Sequence, residues 1–407
     1  MRHRFSASII VAVLTLVWFG ATSEAAQEES RPVAIRVATF NLQDVRPSDI
    51  GDGSTYRLRQ LAETIQRIRP SVILLNEIAF AAPDDYGRET TGSWTAEQFA
   101  ERYIAVAQRQ GLEPIRYRVF TARTNTGMPS GFDLDRSGEV VSSFPAPRTA
   151  KPDGTHHSAS DEARAYAGDA WGWGEFPGQY GMAILVDERL DIVEDRVRTF
   201  RLFPWMGMPN ALLPTLGTDE EESMWYEEEA LELFRLSSKS HWDVPVKMPN
   251  GTIVHFLASH PTPPAFDGDE LRNRKRNHDE IRFWADYILN ADYIVDDEAR
   301  RGGLRQGSSF VILGDLNADP DKGNSYRNPM RQFLLDNPAI NSQNTPTSDF
   351  AIEGLEPHDT AHFRLRVDYI LPSSSLRVLR SGIWRWSDGQ RPSDHFPVWM
   401  DVVVPNP

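Results

Sequence analysis

The chain has 407 residues, a formal charge of −15 and no cysteine. A chain of this length can bury a sizeable core, and without cysteine it relies on that core rather than on disulfides. Its acidity excludes a protein that coats nucleic acid through a broad basic face, but not an enzyme that meets a few phosphates through a metal.

The first 25 residues read as a secretory signal peptide: Arg2 and Arg4 are basic, Ile9 to Phe19 are apolar, and Ser23-x-Ala25 is a small-residue cleavage site. The apolar run is too short for a comfortable membrane span. Removing it makes the mature chain one unit more acidic, because Arg2, Arg4 and Glu24 carry +1. The protein is expected to be secreted or periplasmic.

Residues 33–43 (VAIRVATFNLQ) alternate at period two and predict a half-buried strand. Leu58, Leu61, Ile65 and Ile68 form one helical stripe over 56–70, which stops at Pro70. A buried strand follows at 71–78, a helix at 94–111 and a strand at 116–122. Residues 123–177 are rich in Gly, Pro, Ser and Asp and read as a long insertion. Strands are expected at 180–187, 191–200, 241–248 and 252–260, with a second irregular region at 203–235. The second half echoes the first: a helix over about 269–290, a strand at 309–315, a short helix near 328–335, and strands at 366–371, 376–384 and 396–404. Strands in quantity with helices in both halves predict two packed sheets with helices outside, in one domain over 33–404.

Polar residues recur at the strand ends. Asn41 follows VATF, Glu77 follows VILLN, His260 follows HFLAS, and Asp315 and Asn317 follow FVIL. Asp368 opens DYIL, and Asp394 and His395 precede FPVW. Each alone reads as a cap or turn residue. Gathered, they form a cleft with four carboxylates, two imidazoles and two amides. Oxygen donors of this kind suit hard cations such as Mg²⁺ or Mn²⁺, which polarise phosphoryl oxygens. Histidine supplies a proton or a hydrogen bond to phosphate. No H-E-x-x-H, G-x-S-x-G or phosphate-loop motif is present, which argues against zinc proteases, serine hydrolases and nucleotide-loop enzymes.

The segments TFNLQ, LLNEI, ASHP, GDLNADP, RVDYIL and SDHFPV resemble, in order and spacing, the endonuclease/exonuclease/phosphatase superfamily. That superfamily includes deoxyribonuclease I, abasic-site endonucleases, bacterial sphingomyelinases and inositol phosphatases. The resemblance implies a four-layer α/β/β/α sandwich of two mixed sheets flanked by helices. It implies Glu77 as main metal ligand with Asn41 and Asp394, and Asp315 orienting or deprotonating the attacking water, held by Asn317. It further implies His395 on the scissile phosphate with Asp368 as its carboxylate partner, and His260 as a second histidine. Glu162 and Glu175 are the candidate carboxylates behind His260.

The expected function is a secreted, divalent-metal-dependent phosphodiesterase or nuclease acting by in-line attack of water. The alternatives are a phospholipid phosphodiesterase, a phosphomonoesterase or a non-catalytic binding module. The expected partner is a phosphate ester (nucleic acid, phospholipid or small organophosphate), with no obligate protein partner and a monomeric state.

Secondary signals remain. Asp133, Asp135 and Ser137 have the spacing of the first half of a calcium loop, yet Phe144 stands where its closing Glu belongs, so a structural Ca²⁺ competes with an ordinary turn. Gln179 and Tyr180, in the aromatic stretch 169–183, are candidates for a substrate wall. LFPWMGMPN (202–210) offers a lipid-contacting hairpin or core. The basic run 272–280 reads as a solvated helix face or a nucleic-acid contact.

Overall fold

Along the first strand, Ile35, Val37, Thr39 and Asn41 share one face while Ala38 and Phe40 share the other, because successive side chains alternate across a strand. The first set is apolar until it turns polar at the strand's end, and that change positions everything that follows. The computed structural model describes Met1 and residues 32–81, 92–146, 148, 150–217, 222–386 and 391–407. The segment 1–25 expected to be a signal peptide lies, apart from Met1, outside the described residues. Arg31–Pro407 pack as one compact unit. No helix among the described residues is long and apolar enough to cross a membrane.

The strands in chain order are β1 (Val33–Val45), β2 (Val72–Ile78), β3 (Tyr117–Phe120), β4 (Met182–Asp187), β5 (Asp191–Ile192), β6 (Arg198–Thr199), β7 (Thr215–Leu216), β8 (Ser223–Met224), β9 (His241–Lys247), β10 (Ile253–Ser259), β11 (Ser309–Asp315), β12 (Asp368–Pro372), β13 (Arg377–Ile383) and β14 (Val398–Val404). The helices are α1 (Pro47–Ile50), α2 (Tyr56–Ile68), α3 (Trp94–Phe99), α4 (Asp161–Gly168), α5 (Glu228–Leu233) and α6 (Arg272–Ile288). One sheet runs β13-β14-β1-β2-β4-β3, and the other runs β12-β11-β10-β9-β5 with β6 on β9. Both are mixed: β1 and β2 pair in parallel, as do β10 and β11, and the remaining pairs are antiparallel.

Three apolar layers follow from the alternation. Val37, Leu74 and Met400 of the first sheet meet Val244, Phe256, Val311 and Ile370 of the second between the sheets. Ala38, Phe40, Ile73 and Leu75 face outward onto Leu58, Leu61 and Ile65 of α2 and Phe99 of α3. Leu257, Ile312, Tyr369 and Leu371 face the opposite way onto Ile281, Trp284 and Tyr287 of α6. The result is the four-layer sandwich expected from the sequence.

Several boundaries differ from expectation. The strand expected at 191–200 breaks into β5 and β6 around a helical turn at Glu194–Arg196. The helix expected to reach 111 ends at Ile104, its last turn widened over Ala100–Ile104. The short helix near 328–335 is a single wide turn, Met330–Leu335. The first insertion contains α4, and the second contains β7, β8 and α5. Trp205, Tyr226 and Phe234 of the second insertion are buried against α6, and the Trp205 indole donates to Asp279 at 2.7 Å. Residues 202–210 therefore present no exposed tryptophan, though Leu202 and Met206 stay exposed. The basic run is half buried: Arg276 donates to the carbonyls of Leu236, Trp171 and Arg235, so its charge closes loops rather than meeting a polyanion.

Asn125 ties these loops together. Its amide nitrogen donates to the carbonyls of Arg201 and Ser237, its carbonyl oxygen accepts from Arg235, and its backbone N–H donates to Lys239.

Gly314 is dictated by close approach. A Cβ there would lie 2.1 Å from the Ser259 carbonyl oxygen on β10, and its φ of 143° is one that L side chains rarely adopt. Gly314→Ala is expected to cost about 1–3 kcal/mol or more, since the obstacle is backbone. Thermal unfolding checks this, and an unchanged Tm would contradict the packing argument.

Candidate active site

The inter-sheet face becomes polar at one end of every central strand. Val72 and Leu74 lead to Asn76 on β2, Val311 and Leu313 lead to Asp315 on β11, and Phe256 and Ala258 lead to His260 just past β10. Asp368 opens β12 directly opposite Asp315 in the ladder, with Ile370 behind it. Period two thus delivers Asn41, Asn76, His260, Asp315 and Asp368 to one cleft.

Glu77 does not obey this alternation. Following Ile73 and Leu75, its side chain belongs on the helix-facing side. Its φ of 60° turns the chain, and the carboxylate swings back to accept from Asn41 Nδ2 at 3.1 Å and from the Asp44 N–H at 3.0 Å. Gln43, Asp44, Tyr180 and Asn317 also have positive φ, and the β1–β2 register shifts between Asn41 and Val45. Backbone strain of about 1–3 kcal/mol per residue is concentrated here and held by the bonds around it.

Asp315 sits at the centre. Its Oδ2 accepts from Asn41 Nδ2 at 3.0 Å and lies 3.4 Å from His260 Nε2 and 3.7 Å from His395 Nε2. Its Oδ1 accepts from the Asn317 N–H at 3.0 Å, and its own N–H donates to Asn76 Oδ1 at 3.2 Å. His395 Nδ1 meets Asp368 Oδ2 at 2.9 Å, which fixes its tautomer and leaves Nε2 toward Asp315. Ser393 donates to the Asn41 carbonyl at 2.7 Å and accepts from the His395 N–H at 3.1 Å, joining β1 to the histidine.

The electrostatics follow from burial. Burial first, then the negative charge of Asp394, pushes Glu77 up to about 7. Burial raises Asp315 to about 6 against the pull of His395. Burial alone lowers His395, but Asp368 and Asp315 outweigh it and hold the imidazole well above its ordinary value. Burial, then the charge of Lys239, keeps His260 well below. A cleft that penalises ionised carboxylates in this way is suited to a cation. Ligating atoms of Glu77, His260 and Asp315 all lie within 4.8 Å of one another, as do those of Asp315, Asp368 and His395. Asn41 faces both carboxylates with its nitrogen, while its oxygen accepts from the Gln43 N–H at 2.9 Å.

The expected residues Asn41, Glu77, His260, Asp315, Asp368 and His395 thus meet, with Asp394 near enough to act on Glu77 and Asn317 bonded to Asp315. Neither carboxylate proposed behind His260 reaches it. Glu175 is paired with Arg148 and Arg46, and Glu162 lies exposed in the first turn of α4. His260 Nδ1 is buried without a hydrogen-bond partner among the described residues. Gln179 is not a wall residue. It is fully buried, and its nitrogen donates to both Asp44 oxygens, at 3.2 and 3.1 Å. Tyr180 stacks on exposed Trp173 at 6.0 Å between centroids, so an aromatic surface is formed by that pair. In the expected calcium loop, Asp133 and Asp135 gather with Asp169, whereas Ser137 serves the turn through its N–H.

The sequence reading missed Asn76, although it continues the period of Val72 and Leu74. It also missed Lys239, Ser393 and the buried ion chain from Arg148 through Glu175 and Arg46 to Asp44, for which no local motif exists.

Two mixed sheets that converge carboxylates, amides and histidines at their strand ends define a metal-assisted phosphoric ester hydrolase. Residues 38–395 match the model of the Endonuclease/Exonuclease/phosphatase family, and the chain belongs to that family. No curated protein matches it significantly. Among solved structures, an endonuclease/exonuclease/phosphatase from Beutenbergia cavernae is 18% identical, with a TM-score of 0.50, over 91% of this chain and 71% of that one. The human nocturnin catalytic domain is 14% identical, with a TM-score of 0.45, over 91% and 93% of the two chains. A mannosyl-6-phosphatase from Bacteroides thetaiotaomicron is 14% identical, with a TM-score of 0.42, over 91% and 100%.

A pH signature follows. Above pH 6.5 the unfolded histidines are neutral, and so is folded His260. Glu77, at about 7, and raised His395 still hold protons in the folded chain that the unfolded chain has lost. Folded chains therefore bind more protons, and stability falls as pH rises. Metal-free protein is expected to lose Tm as pH rises through about 7, the value to which Glu77 is pushed, and further as raised His395 gives up its proton. Mg²⁺ or Mn²⁺, or Glu77→Gln, flattens that slope. Calorimetry across the range, with and without EDTA, gives the answer.

Proposed function

We propose that this protein is an exported phosphodiesterase that hydrolyses a P–O bond by in-line attack of water. The observation that carries the reading is Asp315, shared between the Glu77–Asn41 side of the cleft and the His395–Asp368 pair. Glu77, with Asp394 and the amide of Asn41 once turned over, would hold Mg²⁺ or Mn²⁺. The cation supplies polarisation of a phosphoryl oxygen and compensates the buried carboxylates.

The chain's own residues do the rest. Asp315 accepts the proton of the attacking water, because burial gives it the basicity that a base near neutrality needs. Asn317 orients it from the loop after β11. His395, kept protonated by Asp368 and Asp315, donates from Nε2 to a phosphoryl oxygen. His260, held neutral by burial, sits across Asp315 and completes the wall of the phosphate site. The leader sequence, basic and then apolar, supports export. Burial of Trp205 and Arg276 speaks for a soluble diester over a lipid surface or a long polyanion, and Trp173 stacked on Tyr180 offers a flat face to a planar or sugar substituent.

The test is hydrolysis of bis-p-nitrophenyl phosphate, p-nitrophenyl phosphate, plasmid DNA and sphingomyelin by the mature chain, with and without EDTA. Diester hydrolysis is expected to exceed monoester hydrolysis and to stop with EDTA. His395→Ala and Asp368→Asn are expected to lower kcat by about 10²–10⁴-fold, with Tm read alongside to separate lost chemistry from lost folding. Cleavage of sphingomyelin alone, or of the monoester alone, would replace this reading with the corresponding alternative.

A further inference from the structure

We propose that Lys239 is a phosphate-binding residue of this site, its ammonium taking a non-bridging oxygen of the substrate on the His260 side of Asp315. The inference rests on the phosphoesterase reading and deepens it.

The placement is built into the second sheet. His241 of β9 lies opposite Ser259 of β10, so the residues before His241 run beside His260 and Pro261. Ser238 Oγ reaches the His260 carbonyl at 3.5 Å. The backbone around Lys239 is fixed at three points. The Asn125 N–H donates to the Lys239 carbonyl at 2.9 Å, the Ser238 N–H donates to Glu280 at 2.6 Å, and Asn125 Nδ2 donates to the Ser237 carbonyl at 2.8 Å.

The side chain so anchored is only 6% exposed. Among the described residues its ammonium makes no hydrogen bond and no ion pair within 4.0 Å. Burial holds the ammonium below its ordinary value against the pull of Glu280, Glu77 and Asp315 in that order, and its charge in turn acts on His260. A purely structural lysine would be expected to close on Glu280. That carboxylate instead accepts from the Ser238 N–H and the Thr262 N–H, each at 2.6 Å. The largely buried lysine thus lies beside the cleft where a phosphate would arrive, with no direct partner among the described residues. An anionic phosphoryl group offers it the acceptor it lacks, and three hydrogens on a compact charge suit a tetrahedral oxyanion.

Inorganic phosphate is the probe. Lys239→Met is expected to weaken calorimetric binding of inorganic phosphate by about ten-fold or more and to raise KM for bis-p-nitrophenyl phosphate similarly, the loss of one charge-assisted hydrogen bond. Lys239→Arg is expected to recover part of the binding. Phosphate binding and KM at parent values in Lys239→Met, in a preparation where His395→Ala is impaired, would overturn the inference. Should Lys239→Met not fold, the parent protein decides: the Lys239 ammonium resonance shifts on phosphate addition if the inference holds and stays fixed if it does not. A parent protein that hydrolyses no ester would sink the phosphoesterase reading itself, a separate outcome.

Discussion

Glu77 and Asp315 are buried in one cleft, joined by the same amide nitrogen of Asn41. Carboxylates brought together away from water repel each other and lose solvation, and each resists ionisation. The surrounding structure answers this one electrostatic demand. Backbone N–H groups of Asp44 and Asn317 point at the carboxylates, His395 stands charged beside Asp315, and the cleft suits a cation. The strained backbone at Glu77 belongs to the same account. Only a left-handed residue at a strand end can bring that carboxylate around to Asn41, so the cost in φ places the charge.

The insertions take part in this balance. Asp44, whose N–H binds Glu77, has its own carboxylate held by Arg46 and Gln179. Arg46 lies 3.6 Å from Glu175, and Glu175 is clasped by Arg148 from the middle of the first insertion. A line of alternating charges thus runs from irregular chain to Asp44, whose N–H binds Glu77. Buried pairs of this kind contribute little net stability against an apolar replacement, but removing one member leaves a costly orphan. Their contribution here is geometric.

Much of the site was legible because period two was legible. In β10 and β11 the sequence runs apolar, apolar, polar on one face, in β1 it turns polar from Thr39, and Asn41, His260 and Asp315 fall on these faces without reference to any fold. Asn76 carried the same signal and was hidden by Glu77 beside it. Glu77 was found as a polar residue at a strand end and its role came from the resemblance, since alternation alone sends it to the helix side. The strand expected at 191–200 breaks because the polar Glu194-Asp195-Arg196 stretch turns between β5 and β6, each of which pairs with β9 separately. Lys239, Arg148 and Glu175 had no local signature. Their roles depend on contacts between segments far apart in the chain, which no window of sequence displays. Gln179 shows the converse: an aromatic, glycine-rich neighbourhood suggested a surface, yet its amide is needed inside to hold Asp44.

Asn125 carries a consequence for how this protein would look to genetics. One short side chain joins the Arg201 and Ser237 carbonyls and the Arg235 guanidinium, and its backbone fixes the lysine loop and the turn at Gly172. It titrates nothing. In a screen scored by turnover alone, substitutions at Asn125 would nonetheless fall among those of the reacting groups. Only a parallel readout of abundance or folding would separate the keystone from the chemistry.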